Sequence, residues 1–252
     1  MKSVMNATTE QRALWNEVFS ESEAYFGESP SLFAEKSLAL FRENGVQTVL
    51  DAGCGQGRDT FLFAENGIRV TALDYSFVAI GALNERCGES GLSSCIDSRC
   101  FDLRMCMPFE NESFDACYAH MLLCMELTTC EISCLLSEMH RILKPGGLAL
   151  YSVCSIFDGN YRVGEHLGEE LFEADRLAVH FFSEEKIRSL SSGFNILSVE
   201  RMKEEEQSRD LFCIAMKKSS SRCAPTFAAI GAKDAPLARN RSSAPAFCPG
   251  AR

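Results

Sequence analysis

The sequence of 252 residues lacks several features that would place it outside the ordinary globular proteins. No apolar run approaches the roughly 20 residues that cross a bilayer, so no transmembrane helix or membrane partner is expected. The first residues, MKSVMNATTEQRALWNE, lack the continuous apolar segment of a secretory signal. Positive charge is also scarce, with 25 Lys and Arg against 35 Asp and Glu, and the net charge of −10 disfavours a nucleic-acid partner.

The 13 cysteines include no CxxC pair, which argues against a zinc ribbon or a thioredoxin-like site. Their odd number prevents complete pairing within one chain. Because there is also no export signal, we expect reduced thiols and a cytoplasmic protein.

The composition divides the chain into three segments. Residues 1–45 hold two helical patterns, at about 8–25 and 30–44, which we expect to form a cap or lid. Residues 46–218 alternate short apolar runs with helical patterns and are expected to form the main domain. Residues 219–252 are basic and rich in Ser, Ala and Pro, and without a periodic apolar stripe this tail is predicted to be disordered.

The alternation in the main domain predicts a doubly wound α/β fold. The apolar runs that we interpret as buried strands are 46–52, 68–74, 98–103, 113–120, 147–154, 194–200 and 211–217. The last two have no helix between them, which predicts an antiparallel pair at one edge. The expected structure is a single Rossmann-like sheet of seven strands, mostly parallel, with helices on both faces.

A glycine-rich loop, DAGCGQGRD, follows the first predicted strand and opens a helix. Its glycines allow backbone N–H groups to approach a ligand without Cβ clashes. The third glycine comes one residue earlier than in GxGxxG, where this chain has Arg58, and this disfavours a dinucleotide site. No Gly-Lys-Ser/Thr follows, so the loop is not a Walker A motif either.

Acidic residues mark the ends of the first three predicted strands. Asp74 follows Asp51 by 23 residues, at a place where a carboxylate can accept both hydroxyls of a ribose. Asp102 could accept an exocyclic amino proton of adenine. Together these carboxylates predict a cleft for an adenosine that carries a cationic group. The alternative is that strand-end aspartates are helix N-caps, which is our interpretation of Asp59.

The segment VLDAGCGQGRDTFLFAENGIRVTALDYS resembles motif I and the second-strand acidic motif of the class I S-adenosylmethionine-dependent methyltransferases. FDACYAHMLLCMEL and MHRILKPGGLALYSV resemble their fourth-strand and KPGG-turn segments, so the resemblance covers about residues 46–154. The pattern GCGxGRxxxxLAxxGxxVxxxD is similar to small-molecule methyltransferases of the tellurite-resistance and thiopurine type. The resemblance implies S-adenosyl-L-methionine as cofactor, S-adenosyl-L-homocysteine as product and no metal.

The resemblance also implies a set of cofactor-binding residues. Those near the methionine moiety are Asp51, Gly53, Cys54, Gly55, Gly57 and Arg58, and those near the nucleoside are Asp74, Tyr75, Ser76, Asp102 and Leu103. Ala119 and His120 would face the sulfonium. We interpret Cys54 as a packing residue and not as a nucleophile.

Methyl transfer from a sulfonium is an in-line displacement, for which a thiolate, selenide or arsenite needs little beyond correct positioning. A hydroxyl or amine acceptor requires a general base, and His120 is the candidate by position. His166 and His180 are candidate substrate residues, although each histidine could equally be structural. Residues 155–182 and the N-terminal helix are predicted to form a lid.

Two aromatic residues after that helix, Tyr25 and Phe26, are predicted substrate contacts, whereas Trp15 and Phe19 are interpreted as packing. The predicted function is methyl transfer to a small molecule, and the oligomeric state is left open. The alternatives are a metalloid or thiol acceptor, or a non-catalytic accessory protein that binds the cofactor. Thr60 stands where arsenite methyltransferases usually have Cys, which weakens the metalloid alternative.

Overall fold

The computed structural model describes residues 4–204 and 209–219, with side chains from Glu10 onward. These residues belong to a unit that spans Met1–Arg222. The predicted tail, residues 219–252, lies outside the described residues except for Ser219. In the described ranges, none of the helices combines the length and the apolar character needed to cross a membrane.

The helices in the described residues are α1 (Val4–Glu21), α2 (Leu32–Glu43), α3 (Arg58–Glu65), α4 (Phe77–Ser90), α5 (Thr129–Ile142) and α6 (Glu184–Leu190). The strands are β1 (Thr48–Ala52), β2 (Arg69–Asp74), β3 (Ile96–Cys100), β4 (Phe114–His120), β5 (Leu143–Cys154), β6 (Glu165–Gly168), β7 (Leu171–Ala174), β8 (Leu177–His180), β9 (Phe194–Glu204) and β10 (Arg209–Lys218).

The main sheet has the strand order β3-β2-β1-β4-β5-β10-β9. Strands β1 to β5 pair in parallel, whereas β10 runs antiparallel to both β5 and β9. The prediction of a seven-stranded, mostly parallel sheet is confirmed. The last strand lies inside the sheet and β9 takes the edge, because the centre of β10 (Leu211–Ile214) is buried without interruption while β9 has many exposed positions.

Short-range capping signals set several helix ends. The Ser76 hydroxyl accepts a hydrogen bond from Ala79 N at the start of α4, and Gly91 ends that helix in the left-handed region with φ +71°. The sequence Ser183-Glu184-Glu185-Lys186 predicts a helix N-cap at Ser183, and the structure confirms it: Ser183 caps α6 and its hydroxyl accepts from Lys186 N at 3.2 Å.

Two element boundaries differ from the prediction. Strand β3 ends at Cys100, so Asp102 lies in the following loop and not in the strand. Helix α5 ends at Ile142, and Pro145 and the two glycines after it lie within β5. The register between β4 and β5 shifts around these residues, so the turn bulges out of the ladder without breaking it.

The interpretation of Asp59 as an N-cap is wrong. Gly57 is the N-cap of α3, and Asp59 lies buried in the first turn. Its carboxylate accepts hydrogen bonds from Ser31 N and Ser31 Oγ, each at 2.8 Å, and from the Tyr118 hydroxyl at 2.7 Å. Asp59 therefore connects the start of α2 with β4, a tertiary role that local sequence does not reveal.

Residues 155–182 contain a second sheet of three short antiparallel strands, in the order β6-β7-β8. The turn between β7 and β8 contacts α1, because Gln11 Nε2 donates to the Arg176 carbonyl. The Arg176 guanidinium also pairs with Glu17 at 3.0 Å. These two contacts connect the small sheet with α1.

Candidate functional site

A cavity of about 570 Å³ lies where the carboxyl ends of β1, β2 and β4 meet. This is the edge at which ligands bind in doubly wound folds. The predicted site residues on its wall are Tyr25, Phe26, Asp51, Gly53, Cys54, Gly55, Arg58, Asp74, Tyr75, Asp102, Leu103 and His120. The fold therefore brings together residues that are separated by up to 95 positions in the chain.

The glycine loop requires glycine at Gly53 for two reasons. Its φ is +73°, and an added Cβ would lie 2.9 Å from Leu122 Cδ1 in the loop after β4. Both Gly53 N and Cys54 N donate to the Leu73 carbonyl, at 2.8 and 3.0 Å, which ties the loop to β2. The loop is thus held close to two neighbouring strands, and a side chain would separate them.

Asp74 is a polar centre of the cavity wall at the end of β2. Its Oδ2 accepts from Gly55 N at 2.9 Å and its Oδ1 accepts from Ser76 N at 2.8 Å. Burial raises the pKa of Asp74, and these two hydrogen bonds oppose that effect. Each oxygen retains capacity for a further hydrogen bond, so the carboxylate is oriented to accept two donors from a ligand.

Asp51 is buried at the end of β1 and accepts from the Thr60 hydroxyl at 2.5 Å. Burial raises the pKa of Asp51 to about 7, the Thr60 hydrogen bond opposes this, and the nearby carboxylates of Asp59 and Asp74 add to it. A positively charged ligand beside Asp51 would favour the ionised carboxylate.

Asp102 lies on the cavity wall but is already paired. Its Oδ1 accepts from Arg104 Nε at 2.9 Å and its Oδ2 from Arg104 Nη2 at 2.6 Å. Burial opposes ionisation, but the guanidinium holds the pKa of Asp102 below its ordinary value. Oδ2 can still accept one further donor.

His120 ends β4 with both ring nitrogens engaged by the protein. Nδ1 lies 2.6 Å from Ser152 Oγ and Nε2 lies 3.3 Å from Glu204 Oε1. Because the ionised carboxylate of Glu204 can only accept, Nε2–H donates to it. In the neutral ring Nδ1 then accepts from the Ser152 hydroxyl, whose oxygen accepts from Met121 N at 3.0 Å. Burial raises the pKa of Glu204, but the contact with His120 outweighs it and the net shift is downward.

Aromatic side chains from α1 and the segment after it form one wall. Trp15 and Phe19 stack with ring centroids 5.4 Å apart, and Tyr25 and Phe26 make an edge contact at 4.9 Å. All four line the cavity, including the two that the sequence pattern assigned to packing alone.

The glycine loop positions this aromatic segment. Gln56 Nε2 donates to the Ser22 carbonyl at 2.6 Å and Gln56 Oε1 accepts from Tyr25 N at 3.0 Å. Arg58 Nη1 donates to the Phe26 carbonyl at 2.9 Å. The aromatic wall is therefore tied directly to the loop that lies beneath it.

Burial raises the pKa of the Cys54 thiol well above its ordinary value, and the neighbouring Asp51 and Asp74 carboxylates add to this. A neutral thiol is a poor nucleophile. The interpretation of Cys54 as a packing residue agrees with this environment.

Five predicted site residues do not line this cavity in the described structure. They are Gly57, Ser76, Ala119, His166 and His180. Gly57 and Ser76 cap helices, and Ala119 is fully buried in β4.

The two outlying histidines have other contacts. His166 is exposed and stacks on Phe172 with ring centroids 4.7 Å apart. His180 is fully buried, its Nδ1 lies 2.7 Å from the Leu127 carbonyl oxygen, and its Nε2 contacts Lys186 Nζ. Burial lowers the pKa of His180, with the charge of Lys186 contributing in the same direction. We therefore place neither histidine at the candidate site.

The lining residues that sequence reasoning did not single out include Glu126, Leu177 and Arg209. Burial raises the pKa of Glu126 to about 7, and its Oε2 is buried without a hydrogen-bond partner among the described residues. A carboxylate in the otherwise apolar stretch MLLCMEL was the available signal for Glu126. Leu177 and Arg209 carried no comparable signal.

Comparison with known proteins places this cleft in a family. Residues 49–147 match the family described as "Methyltransferase domain". This segment of the chain is therefore a methyltransferase domain. Among curated relatives, a malonyl-[acyl-carrier protein] O-methyltransferase of Salmonella typhimurium is 30% identical over 122 residues, which are 47% of this chain and 43% of that protein. The chain spans about half the length of the curated relatives it matches.

Solved structures show that the methyltransferase fold extends over most of the chain. A 1,6-didemethyltoxoflavin-N1-methyltransferase of Burkholderia thailandensis, with its bound substrate and S-adenosylhomocysteine, superposes with a TM-score of 0.67. It is 18% identical, and the match covers 87% of this chain and 92% of that one. The [4+2]-cyclase SpnF gives a TM-score of 0.59 at 18% identity, covering 75% and 82%. At these identities the likeness establishes the fold alone.

Proposed function

We propose that this chain transfers a methyl group from S-adenosylmethionine to a small-molecule acceptor by in-line displacement. The observation that carries the proposal is the geometry of Asp74. Backbone N–H groups of Gly55 and Ser76 orient both of its carboxylate oxygens, and each oxygen can accept one more hydrogen bond. A ribose diol offers two donors in this arrangement.

The remaining residues of this half of the cavity fit the rest of the cofactor. Asp102 and Leu103 would hold the adenine, with Tyr75 beside them on the wall. The glycine loop leaves room for the sulfonium end, and Asp51 supplies a carboxylate for its positive charge. The bound cofactor supplies an electrophilic methyl group.

The other half of the cavity fits an acceptor with an apolar body. Trp15 and Phe19 from α1 and Leu177 from β8 all line the cavity, so side chains of separate segments surround the same space. Such a wall excludes water and restricts the acceptor to orientations in which nucleophile, methyl carbon and sulfur are collinear. In this proposal α1 and the β7–β8 turn act as the lid.

The environment of His120 bears on the type of acceptor. Its two nitrogens are bonded to Ser152 and Glu204, so a proton from an acceptor could reach the ring only after one of these bonds is exchanged. This favours acceptors that are already ionised or intrinsically nucleophilic over neutral hydroxyls and amines. The malonyl group named in the Salmonella relative carries a carboxylate, which is ionised at neutral pH.

The proposal is tested by incubating the full chain with methyl-tritiated S-adenosylmethionine and panels of carboxylic acids, thiols, arsenite, phenols and amines. We expect label to enter at least one small molecule. With a hydroxyl or amine acceptor, His120→Ala should reduce turnover much more than cofactor affinity, whereas with a carboxylic acid it should change turnover little. At limiting cofactor, Asp74→Asn should lose incorporation while Asp97→Asn, on the exposed part of β3, should retain it.

Tight binding of S-adenosylhomocysteine without incorporation into any acceptor would instead support the non-catalytic alternative. A structural neighbour with this fold is named a [4+2]-cyclase, so the fold by itself does not imply methyl transfer. Failure to bind S-adenosylhomocysteine at all would overturn both.

A further inference from the structure

Arg209 is a cation on the cavity wall. Its side chain is 18% exposed, and the nearest carboxylate oxygen, Asp158 Oδ1, lies 3.9 Å from Nη1. Within the described part of the chain the guanidinium makes no hydrogen bond. A guanidinium carries five N–H donors, and leaving them unpaired in a largely buried position is unfavourable.

The nearby acid does not satisfy Arg209. Asp158 Oδ1 already accepts from Asn160 N at 2.9 Å, and its Oδ2 accepts from Asp210 N at 2.8 Å. These backbone contacts hold the carboxylate in place, too far from the guanidinium for a direct hydrogen bond.

Three other arginines lie on the cavity wall. Arg86 lies over the ring of Phe61, 4.1 Å from its centroid, and the other two bind carboxylates. Arg58 pairs with Asp59 at 3.2 Å, and Arg104 binds both oxygens of Asp102. The guanidinium groups of Arg58 and Arg104 therefore already bind carboxylates of the protein itself. The N–H donors of the Arg209 guanidinium group are therefore available to an anion that enters the cavity.

The topology places Arg209 on the acceptor side. Because β10 is antiparallel to β5, its first residue lies at the same edge as the carboxyl ends of β4 and β5. Four strand spacings separate β10 from β2, which carries Asp74, and this is about 19 Å at about 4.8 Å each. Only two spacings, about 10 Å, separate it from β4, where His120 lies.

We infer that Arg209 binds the carboxylate of the methyl acceptor, and that the acceptor is a small carboxylic acid with an apolar body. The planar fork matches the two oxygens of a carboxylate, and Leu127 and Leu177 provide apolar wall for the rest of the molecule. The inference rests on the proposed function, because it assigns the β1–β3 side of the cavity to the cofactor.

The test is calorimetric titration of the full chain, saturated with S-adenosylhomocysteine, with 3-phenylpropionate, octanoate and 3-phenylpropionamide. We expect at least one acid to bind, and 3-phenylpropionate to bind at least tenfold more tightly than its amide. Arg209→Gln should reduce that preference to less than about twofold, since a charged hydrogen-bond partner is worth roughly tenfold to hundredfold in affinity. Arg209→Lys should restore part of it.

Arg188→Gln is the matched control, because it removes one positive charge from the exposed surface of α6 and should leave the preference intact. Equal binding of acid and amide, no binding of either acid, or tighter binding of inorganic phosphate than of the acids would overturn the inference. So would a loss of S-adenosylhomocysteine affinity in Arg209→Gln, which would assign Arg209 to the cofactor's own carboxylate. A wild-type chain that binds S-adenosylhomocysteine but no acid contradicts this inference and leaves the proposed function standing.

Discussion

The two halves of the cleft are built in different ways. On the proposed nucleoside side, Asp74 bonds to Ser76 N and Gly55 N, and Asp102 pairs with Arg104, so these partners lie at most 19 residues apart in the chain. On the acceptor side, His120 bonds to Ser152 and Glu204, which are 32 and 84 residues away. The first half is organised by strand-end loops, and the second by the packing of segments that are remote in sequence.

This difference has a physical consequence. A site made of local contacts keeps its geometry as long as one loop and one strand end are intact. A site assembled from β4, β5, the β9–β10 hairpin and α1 changes whenever any of these elements shifts. We expect substitutions on the nucleoside side to act on cofactor affinity, and substitutions on the acceptor side to act on acceptor affinity and turnover.

The largest effect is expected for Asp74→Asn. The amide group would direct a donor at the N–H of Gly55 or Ser76, and the ribose hydroxyls would lose their charged acceptor. We expect the Kd for S-adenosylhomocysteine, measured by calorimetry, to rise on the order of 100-fold. Asp97→Asn is the control, since Asp97 is exposed and pairs with Arg99. Wild-type affinity in Asp74→Asn would contradict the assignment of the nucleoside side.

Gly53→Ala should destabilise the glycine loop. The new Cβ would meet Leu122 at 2.9 Å with φ at +73°, so we expect a loss of about 2 kcal/mol, or roughly 4–8 °C in Tm. Gly81→Ala is the counterpart in α4, where no atom lies within 4 Å of the added Cβ. It should raise Tm slightly, because alanine is favoured over glycine within helices. If Gly53→Ala and Gly81→Ala changed Tm by the same amount, the glycine loop would not be held tightly between β2 and the end of β4.

Asp51 should make cofactor binding depend on pH. The pKa of Asp51 is about 7, and a cationic sulfonium bound beside it would lower that pKa. Below pH 7, binding of S-adenosylmethionine therefore requires Asp51 to release its proton, which weakens the affinity. We expect the affinity ratio of S-adenosylmethionine to S-adenosylhomocysteine to rise roughly fivefold from pH 6 to pH 8.

Asp51→Asn should abolish that rise. Glu126 is the matched control, because its pKa is also about 7 but it comes from the loop after β4. If Glu126→Gln removes the pH dependence and Asp51→Asn does not, the sulfonium lies nearer to Glu126 than proposed.

The smallest effect is expected at the contact between the proposed lid elements. Arg176 and Glu17 are both more than half exposed, so Arg176→Ala should shift Tm by less than about 2 °C. On the acceptor side we expect a rise in KM of roughly twofold to threefold, because α1 would lose one of its contacts with the β7–β8 turn. Arg188→Ala, which breaks an equally exposed pair with Glu184, should change neither quantity.

The sequence alone was sufficient for the fold and for much of the nucleoside side. Apolar runs and helix caps act over a few residues, so strands β1, β2 and β4, helix α4 and the Ser183 cap could be predicted closely. The glycine loop and Asp74 were found for the same reason, since their positions follow from where a strand ends.

Other features were decided by tertiary structure. Asp59 was predicted as a cap but binds Ser31 and Tyr118, and residues 155–182 formed a small sheet that no periodicity indicated. His180 was placed away from the cavity, and Arg209 was brought to it by an antiparallel strand. The physical reason is the range of the interactions: backbone preferences and capping hydrogen bonds are set by neighbours in the chain, whereas burial and long-range pairing depend on which segments the folded sheet brings side by side.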